Sequence, residues 1–264
     1  MDKPLGMRLL RDQQKSYALE TTASRAQVDN RQHLQEIFLS SPLPPEDLLF
    51  NLGLYTRSSL LVKYLVLYEL YRKLLSVPGV IMEFGTWWGQ NLVLLENLRA
   101  ILEPFNKQRK IIGFDTFSGY PSPSGWDGAG EFWKEGSYST SAGYQEYLED
   151  LIRTHEGINV LGHVTGVHEL VEGDVRRTVP GYLQSHPETI VAFAYFDLGL
   201  YEPTLETLKA IKAHLVPGSI ILFDELTWPE APGEAIAFRE IFKPSEYSIE
   251  KVMLYPSKAV ITIR

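Results

Sequence analysis

The run over residues 191–225, VAFAYFDLGLYEPTLETLKAIKAHLVPGSIILFDE, constrains the fold of this chain more than any other stretch, because it reads as a complete strand, helix and strand with an acid closing each strand. Residues 191–196 form a short apolar run rich in aromatic and β-branched side chains, of the kind buried on both faces of a parallel sheet, and the run stops at Asp197. Residues 219–223 repeat the pattern and stop at Asp224 and Glu225. Between them Pro203 suits a first helical position, Leu205, Leu208, Ile211 and Leu215 recur at helical spacing, and Pro217-Gly218 ends the segment. A right-handed crossover between neighbouring strands sets their carboxyl ends about 5 Å apart, which gathers Asp197, Asp224 and Glu225 in one crevice. Open α/β sheets bind their ligands at that edge. Like charges so close raise one another's pKa, and a divalent cation held by oxygen ligands, magnesium, calcium or manganese, relieves the repulsion. The competing reading is that the acids cap helices or face water.

A chain of 264 residues accommodates one large α/β domain with an arm or lid added. Residues 1–50 are polar and mixed in charge, close with SSPLPPED, and are expected to form a helical arm outside the main core. The net charge of −8 and the lack of any Lys/Arg block argue against nucleic acid or an anionic membrane as a partner. With no cysteine, the chain has no disulfide framework, thiolate nucleophile or thiolate metal site. The N-terminal segment lacks the apolar core of a signal peptide, and the longest apolar run, 60–75, is interrupted by Lys63, Glu69, Arg72 and Lys73. A cytoplasmic protein is the expectation.

In chain order, Leu61, Tyr64, Leu65, Tyr68 and Tyr71 mark a helix over 60–75, and Arg57 ahead of it is placed to hold a carboxylate at the helix start. Pro78-Gly79 turns into the strand 80–84, followed by GTWWGQN and a helix over 92–102. Gly85 and Gly89 permit a tight turn and close approach of a ligand to the backbone, although the pattern is neither GxGxxG nor a P-loop. Glu83, a carboxylate in an apolar strand, needs a partner, and an ammonium group is a good one. Trp87 and Trp88 are placed either to stack on a ligand or to pack. The next strand, 110–114, ends at Asp115, about 30 residues after the first, the position from which an acid takes both hydroxyls of a ribose. The cofactor is therefore expected to carry adenosine.

Residues 116–166 change character, rich in Gly, Ser, Pro and aromatics, and are read as a lid-like insertion with Trp126, Trp133, Tyr138 and Tyr144 as stacking surfaces; a helix over 144–154 follows within it. A third strand over 168–171 leads to Asp174, where a polar side chain meets an adenine edge. Residues 233–242 read as a helix, and 247–254 with 259–263 as a terminal hairpin. No histidines are spaced as a metal pair, no GxSxG elbow occurs, and His155 and His163 flank the insertion.

VIMEFGTWWGQN, IIGFDTFSGYP, and AYFDLGLYEPTLETL with LVPGSIILFDE together resemble the macrocin O-methyltransferase family of sugar O-methyltransferases, over most of residues 78–242. The resemblance implies an α/β, Rossmann-like class I methyltransferase: a mostly parallel seven-stranded sheet closing in an antiparallel hairpin. It implies methyl transfer from S-adenosylmethionine, with Mg²⁺ or another divalent cation, to a sugar hydroxyl of a natural-product glycoside, by a homo-oligomer acting in antibiotic biosynthesis. Carried over by motif, Asp197, Asp224 and Glu225 hold the metal. The same carry-over gives the methionine end to Glu83 and the Gly85 turn and the ribose to Asp115; Thr86, Trp87, Thr116, Asp174, Asp197 and Arg57 are the further residues expected to bind the cofactor.

One departure stands out. Similar family members carry DxDLYE after the fourth strand, with the second Asp as general base, whereas this chain has DLGLYE with Gly199 there. General-base help is worth about 10²- to 10⁴-fold in rate. Glu202, His155 and His163 are the candidates to take the proton. Two other functions fit the same motifs: methylation of a catechol or phenol, whose acidity makes the missing base unimportant, and a cofactor-binding subunit impaired in catalysis.

Overall fold

The computed structural model of the chain describes residues 24–128, 133–159, 166–255 and 257–264. The chain divides into two compact units, one ending at Leu61 and the other spanning Val62–Arg264. In the first, helix α1 (Arg25–Leu39) starts in a capping box in which Ser24 and Gln27 satisfy each other's backbone N–H. The short α2 (Pro45–Leu48) follows, and Tyr55 closes the unit by packing edge-on against Phe38 and donating to Ser41 Oγ at 2.9 Å. Both helices fall within the stretch 1–50 that the sequence reads as an arm; residues 1–23 lie outside the described residues.

The second unit is built on β1 (Val80–Phe84), β2 (Ile111–Asp115), β3 (Glu169–Glu172), β4 (Val191–Phe196), β5 (Leu215–Phe223), β6 (Tyr247–Lys251) and β7 (Ala259–Ile263). They form one seven-stranded sheet in the order β3-β2-β1-β4-β5-β7-β6, parallel except that β7 runs antiparallel to both β5 and β6. One face is covered by α3 (Ser58–Leu74), α4 (Gln90–Leu102) and α5 (Tyr144–Asn159), through Leu67, Leu70, Leu74, Leu92, Leu95, Leu148 and Ile152. The other carries α6 (Val175–Ser185), α7 (Tyr201–Ile211) and α8 (Gly233–Ile241), through Val179, Leu183, Leu208, Ile211 and Phe238. Burial of the sheet on both faces is why its strands read as continuous apolar runs.

Register decides where the acids fall. Phe114, Phe84, Phe196 and Phe223 are consecutive partners across β2, β1, β4 and β5, and their rings meet at centroid distances of 5.3, 4.8 and 5.0 Å. This aromatic row anchors four strand ends at one level. The next residues, Asp115, Gly85, Asp197 and Asp224, therefore line the carboxyl edge together.

Some boundaries differ from expectation. β5 begins at Leu215 and runs through Pro217-Gly218, because the register with β4 shifts between Val191 and Phe193 and Ser219 Oγ bridges the irregularity, bonding Val191 O at 2.7 Å and Val216 N at 2.9 Å. α7 accordingly ends at Ile211, short of Leu215. α5 continues to Asn159, and α6, which periodicity does not predict, forms behind the Asp174 cap despite Pro180. Among the described residues no helix is long and apolar enough to cross a membrane.

Candidate active site

The carboxyl edge opens into a cavity whose wall includes Lys63, Gly85, Trp87, Asp115, Thr116, Tyr120, Tyr138, Asp174, Asp197 and Glu225. Gly85 and Asp197 are there because β1 and β4 pair up to their last residues; Gly85 has φ of +89°, and a Cβ on it would collide with the Asp197 carbonyl. Only glycine fits that crossing. Asp115 bends back at the end of β2 to accept from the amides of Trp87 (2.7 Å) and Phe117 (2.6 Å), which locks the glycine turn to the second strand. Burial nonetheless raises its carboxyl above the usual range.

Beneath the turn, Glu83 is fully buried. Asn91 Nδ2 donates to its Oε1 at 2.6 Å, while Oε2 has no partner among the described residues. Burial is the main cause that pushes Glu83 up to about 8; the charges of Asp197 and Asp115 add to it, and Asn91 and the Lys63 charge oppose it. The unpartnered oxygen belongs to a residue two positions before the cavity-lining Gly85, and a cationic group against it would satisfy it.

The second acidic group is different from the three carboxylates expected. Asp224 is engaged from both sides: Tyr195 OH donates to its Oδ1 at 2.5 Å, and the buried Lys258 ammonium, which also reaches Tyr195 OH at 3.0 Å, forms an ion pair with it. Lys258 comes from the terminal hairpin, more than thirty residues downstream, so nothing in the local motif signals it. Glu225 faces the cavity, and its carboxyl is pushed up to about 9 by burial and then by Glu234 and Asp197. Glu234, at the start of α8, is fully buried, with its oxygens 3.2 to 3.3 Å from the amides of Leu198, Gly199 and Glu225. It holds together the loops that carry Asp197 and Glu225, a role legible only once α8 packs against α7.

Part of the insertion forms an aromatic wall. Tyr120 stacks on Trp133 at 6.1 Å and meets Tyr138 at 5.0 Å, and Tyr138 meets Trp87 at 6.0 Å. Tyr144 packs on Trp88 and donates to its carbonyl at 2.9 Å, whereas Trp126 is exposed. A Cβ at Gly199 would lie 2.7 Å from Trp133 Cζ3, 2.9 Å from Tyr120 Oη and 3.1 Å from Glu225 Oε2. The place of a side chain at 199 is thus already taken by the wall.

The methyltransferase domain family matches residues 82–226. Over 92% of this chain and 94% of the other, the structure is similar to that of CalS11, a calicheamicin methyltransferase, with 41% identity and a TM-score of 0.88. The apo structure of CalS11, described as a TDP-rhamnose 3′-O-methyltransferase of calicheamicin biosynthesis, gives 39% identity and a TM-score of 0.80 over 92% and 96% of the two chains. The chain belongs to the S-adenosylmethionine-dependent O-methyltransferases. The O-methyltransferase NovP shares the fold at 17% identity, with a TM-score of 0.57 over 76% of this chain and 79% of that one. No curated protein sequence matches significantly.

In this methyltransferase the residues fit the methyl donor: Glu83 Oε2 has no donor among the described residues, Gly85 keeps the turn free of side chain, and Asp115 stands at the cavity wall. Trp87, Thr116, Asp174 and Asp197 line the same cavity, Asp174 paired to Arg176; Thr86 is buried with its hydroxyl unpartnered among the described residues. Arg57 is exposed ahead of α3, in the first unit. The donor set does not fit a cation. Asp224 is committed to Lys258 and Tyr195, and no three His, Cys, Asp or Glu residues among those described are grouped to hold a metal ion. Glu202, a candidate base, is exposed and paired with Arg176 at 2.9 Å; it does not line the cavity, and neither does His155, on α5. His163 lies outside the described residues.

Proposed function

We propose that the chain transfers a methyl group from S-adenosylmethionine to a hydroxyl of a sugar destined for, or attached to, a natural product. The 41% identity with CalS11 over nearly the whole of both chains carries this reading, and the cavity supports it. Tyr120 and Tyr138 offer aromatic faces to the apolar side of a sugar ring, while Asp197 and Glu225 offer oxygens to its hydroxyls.

The bound cofactor supplies an activated methyl group. The protein's part is to hold the acceptor hydroxyl in line with it and to give the proton somewhere to go. Asp197 and Glu225 are the cavity-lining carboxylates whose side chains accept no hydrogen bond among the described residues, and Glu225 lies on the acceptor side, under Tyr120 and Trp133.

Incubating the chain with labelled S-adenosylmethionine and, in parallel, TDP-rhamnose, a rhamnosylated natural product and a catechol tests the reading. Label should pass to a sugar-bearing acceptor. Transfer to the catechol alone would replace the sugar reading with the phenol one, and cofactor binding without turnover on any acceptor would favour the impaired subunit.

A further inference from the structure

The insertion after β2 is fixed to the rest of the chain at two separate places. Its base is closed by backbone bonds: the Tyr120 amide donates to Ser137 O at 2.8 Å, the Gly136 amide to Tyr120 O at 2.9 Å, and the Thr140 amide to Phe117 O at 3.1 Å. Asp115 ties this base to the glycine turn after β1 by accepting from the amides of Phe117 and Trp87. The base therefore belongs to the cofactor side of the cavity.

The far part is held by a different device. α7 starts at Tyr201, and Leu200 at its N-cap position offers no side-chain bond to the open amides of the first turn. Asp127, 74 residues earlier in the chain, supplies one. Its Oδ1 accepts from the Tyr201 amide at 2.5 Å and its Oδ2 from the Ser124 amide at 2.5 Å, and the carboxylate meets the positive end of the helix dipole. Gly233 leaves room for this bond, since a Cβ there would lie 2.6 Å from Tyr201 N and 2.7 Å from Asp127 Oδ1. Beside it Trp133, Leu200 and Ala231 form a small apolar cluster, distinct from the two cores that cover the sheet, with Tyr120 packed against it. The Trp133 ring fills the space that a Cβ would take at both Gly128 and Gly199. So few buried side chains offset the ordering entropy of only a short segment, which leaves the Asp127 bonds a share of the work.

We propose that Asp127 is a positioning residue for the acceptor: by capping α7 from the insertion it holds Trp133 and Tyr120 against Gly199, on the side of the cavity where Glu225 stands. The acceptor half of the site is complete only while this cap is made. The cofactor half is anchored through Asp115 and does not need it. The assignment rests on the methyl-transfer reading above.

Asp127→Ala and Asp127→Asn in the full chain test it. Hydrogen exchange read by mass spectrometry should be about tenfold faster in Asp127→Ala for peptides covering residues 120–128 and the first turn of α7, and unchanged for residues 85–91. With labelled S-adenosylmethionine and whichever of TDP-rhamnose and a rhamnosylated natural product the unsubstituted chain methylates, the acceptor KM should rise about 10- to 100-fold in Asp127→Ala, the loss expected for charge-assisted hydrogen bonds. Calorimetric affinity for S-adenosylhomocysteine should stay the same, which also shows that the variant folds. Asp127→Asn keeps a carbonyl oxygen for the Tyr201 amide and should recover part of the loss. An unchanged acceptor KM, an equal loss of cofactor affinity, or unchanged exchange in the first turn of α7 each overturns the proposal. If the unsubstituted chain methylates neither sugar acceptor, the sugar reading falls, and the exchange pattern still decides whether Asp127 holds the wall.

Discussion

At the scale of single residues, Glu83 and Gly199 hold the sharpest information. Glu83 has its carboxyl raised to about 8, chiefly by burial, and is therefore mostly protonated in the free protein at pH 7. A ligand ammonium against Oε2 favours the charged form and lowers that pKa, so binding expels a proton. Calorimetry of S-adenosylhomocysteine in buffers of different ionisation enthalpy at pH 7 should show release approaching one proton, and Glu83→Gln should abolish it. Gly199 has φ of +62°, and its missing side chain is not an open slot, since Trp133, Tyr120 and Glu225 already surround the position. Gly199→Asp should therefore lower stability by about 1–3 kcal/mol in urea titrations, the usual cost of such a backbone conformation, without raising kcat.

At the scale of elements, the site depends on strand ends that are level. The row Phe114, Phe84, Phe196 and Phe223 aligns β2, β1, β4 and β5, and the glycine turn after β1 passes beneath Asp197 with no room for a Cβ. Gly85→Ala forces the turn away from β4. It also disturbs the bond from the Trp87 amide to Asp115. Loss of cofactor binding by more than about tenfold is expected in the same calorimetric assay, with a smaller loss of global stability, because the strain is local to the loop. The terminal hairpin matters for a different reason: β6 and β7 bring Lys258 to Asp224, which turns an expected cation ligand into one half of a buried ion pair.

At the scale of the whole molecule, the core is stitched where sequence patterns are silent. Arg109, buried ahead of β2, donates to the carbonyls of Gly79 (2.6 Å) and Val77 (2.9 Å) and pairs with Glu103, which also accepts from Tyr71 at 2.7 Å. These bonds tie the end of α3 and the entry to β1 to the end of α4. Arg109→Met leaves Glu103 buried without its counter-charge and should cost about 3–5 kcal/mol in urea unfolding, while any folded fraction keeps its cofactor affinity.

The sequence by itself determined the alternating architecture and the strands that carry or stop at Glu83, Asp115, Asp197 and Asp224, because double burial and the period of apolar residues are local signals; the methyltransferase plan came from the resemblance of its motifs to a known family. Tertiary structure decided what those acids face. Lys63, Tyr120, Glu234 and Lys258 come from a helix, the insertion, a later helix and the hairpin, and side chains so far apart in the chain meet only through packing. Asp224, expected as a cation ligand, is an example: the charge that faces it in the structure is a lysine of the terminal hairpin. Which oxygen is satisfied and which is left for a ligand is a property of neighbours in space, and the order of residues along the chain does not contain it.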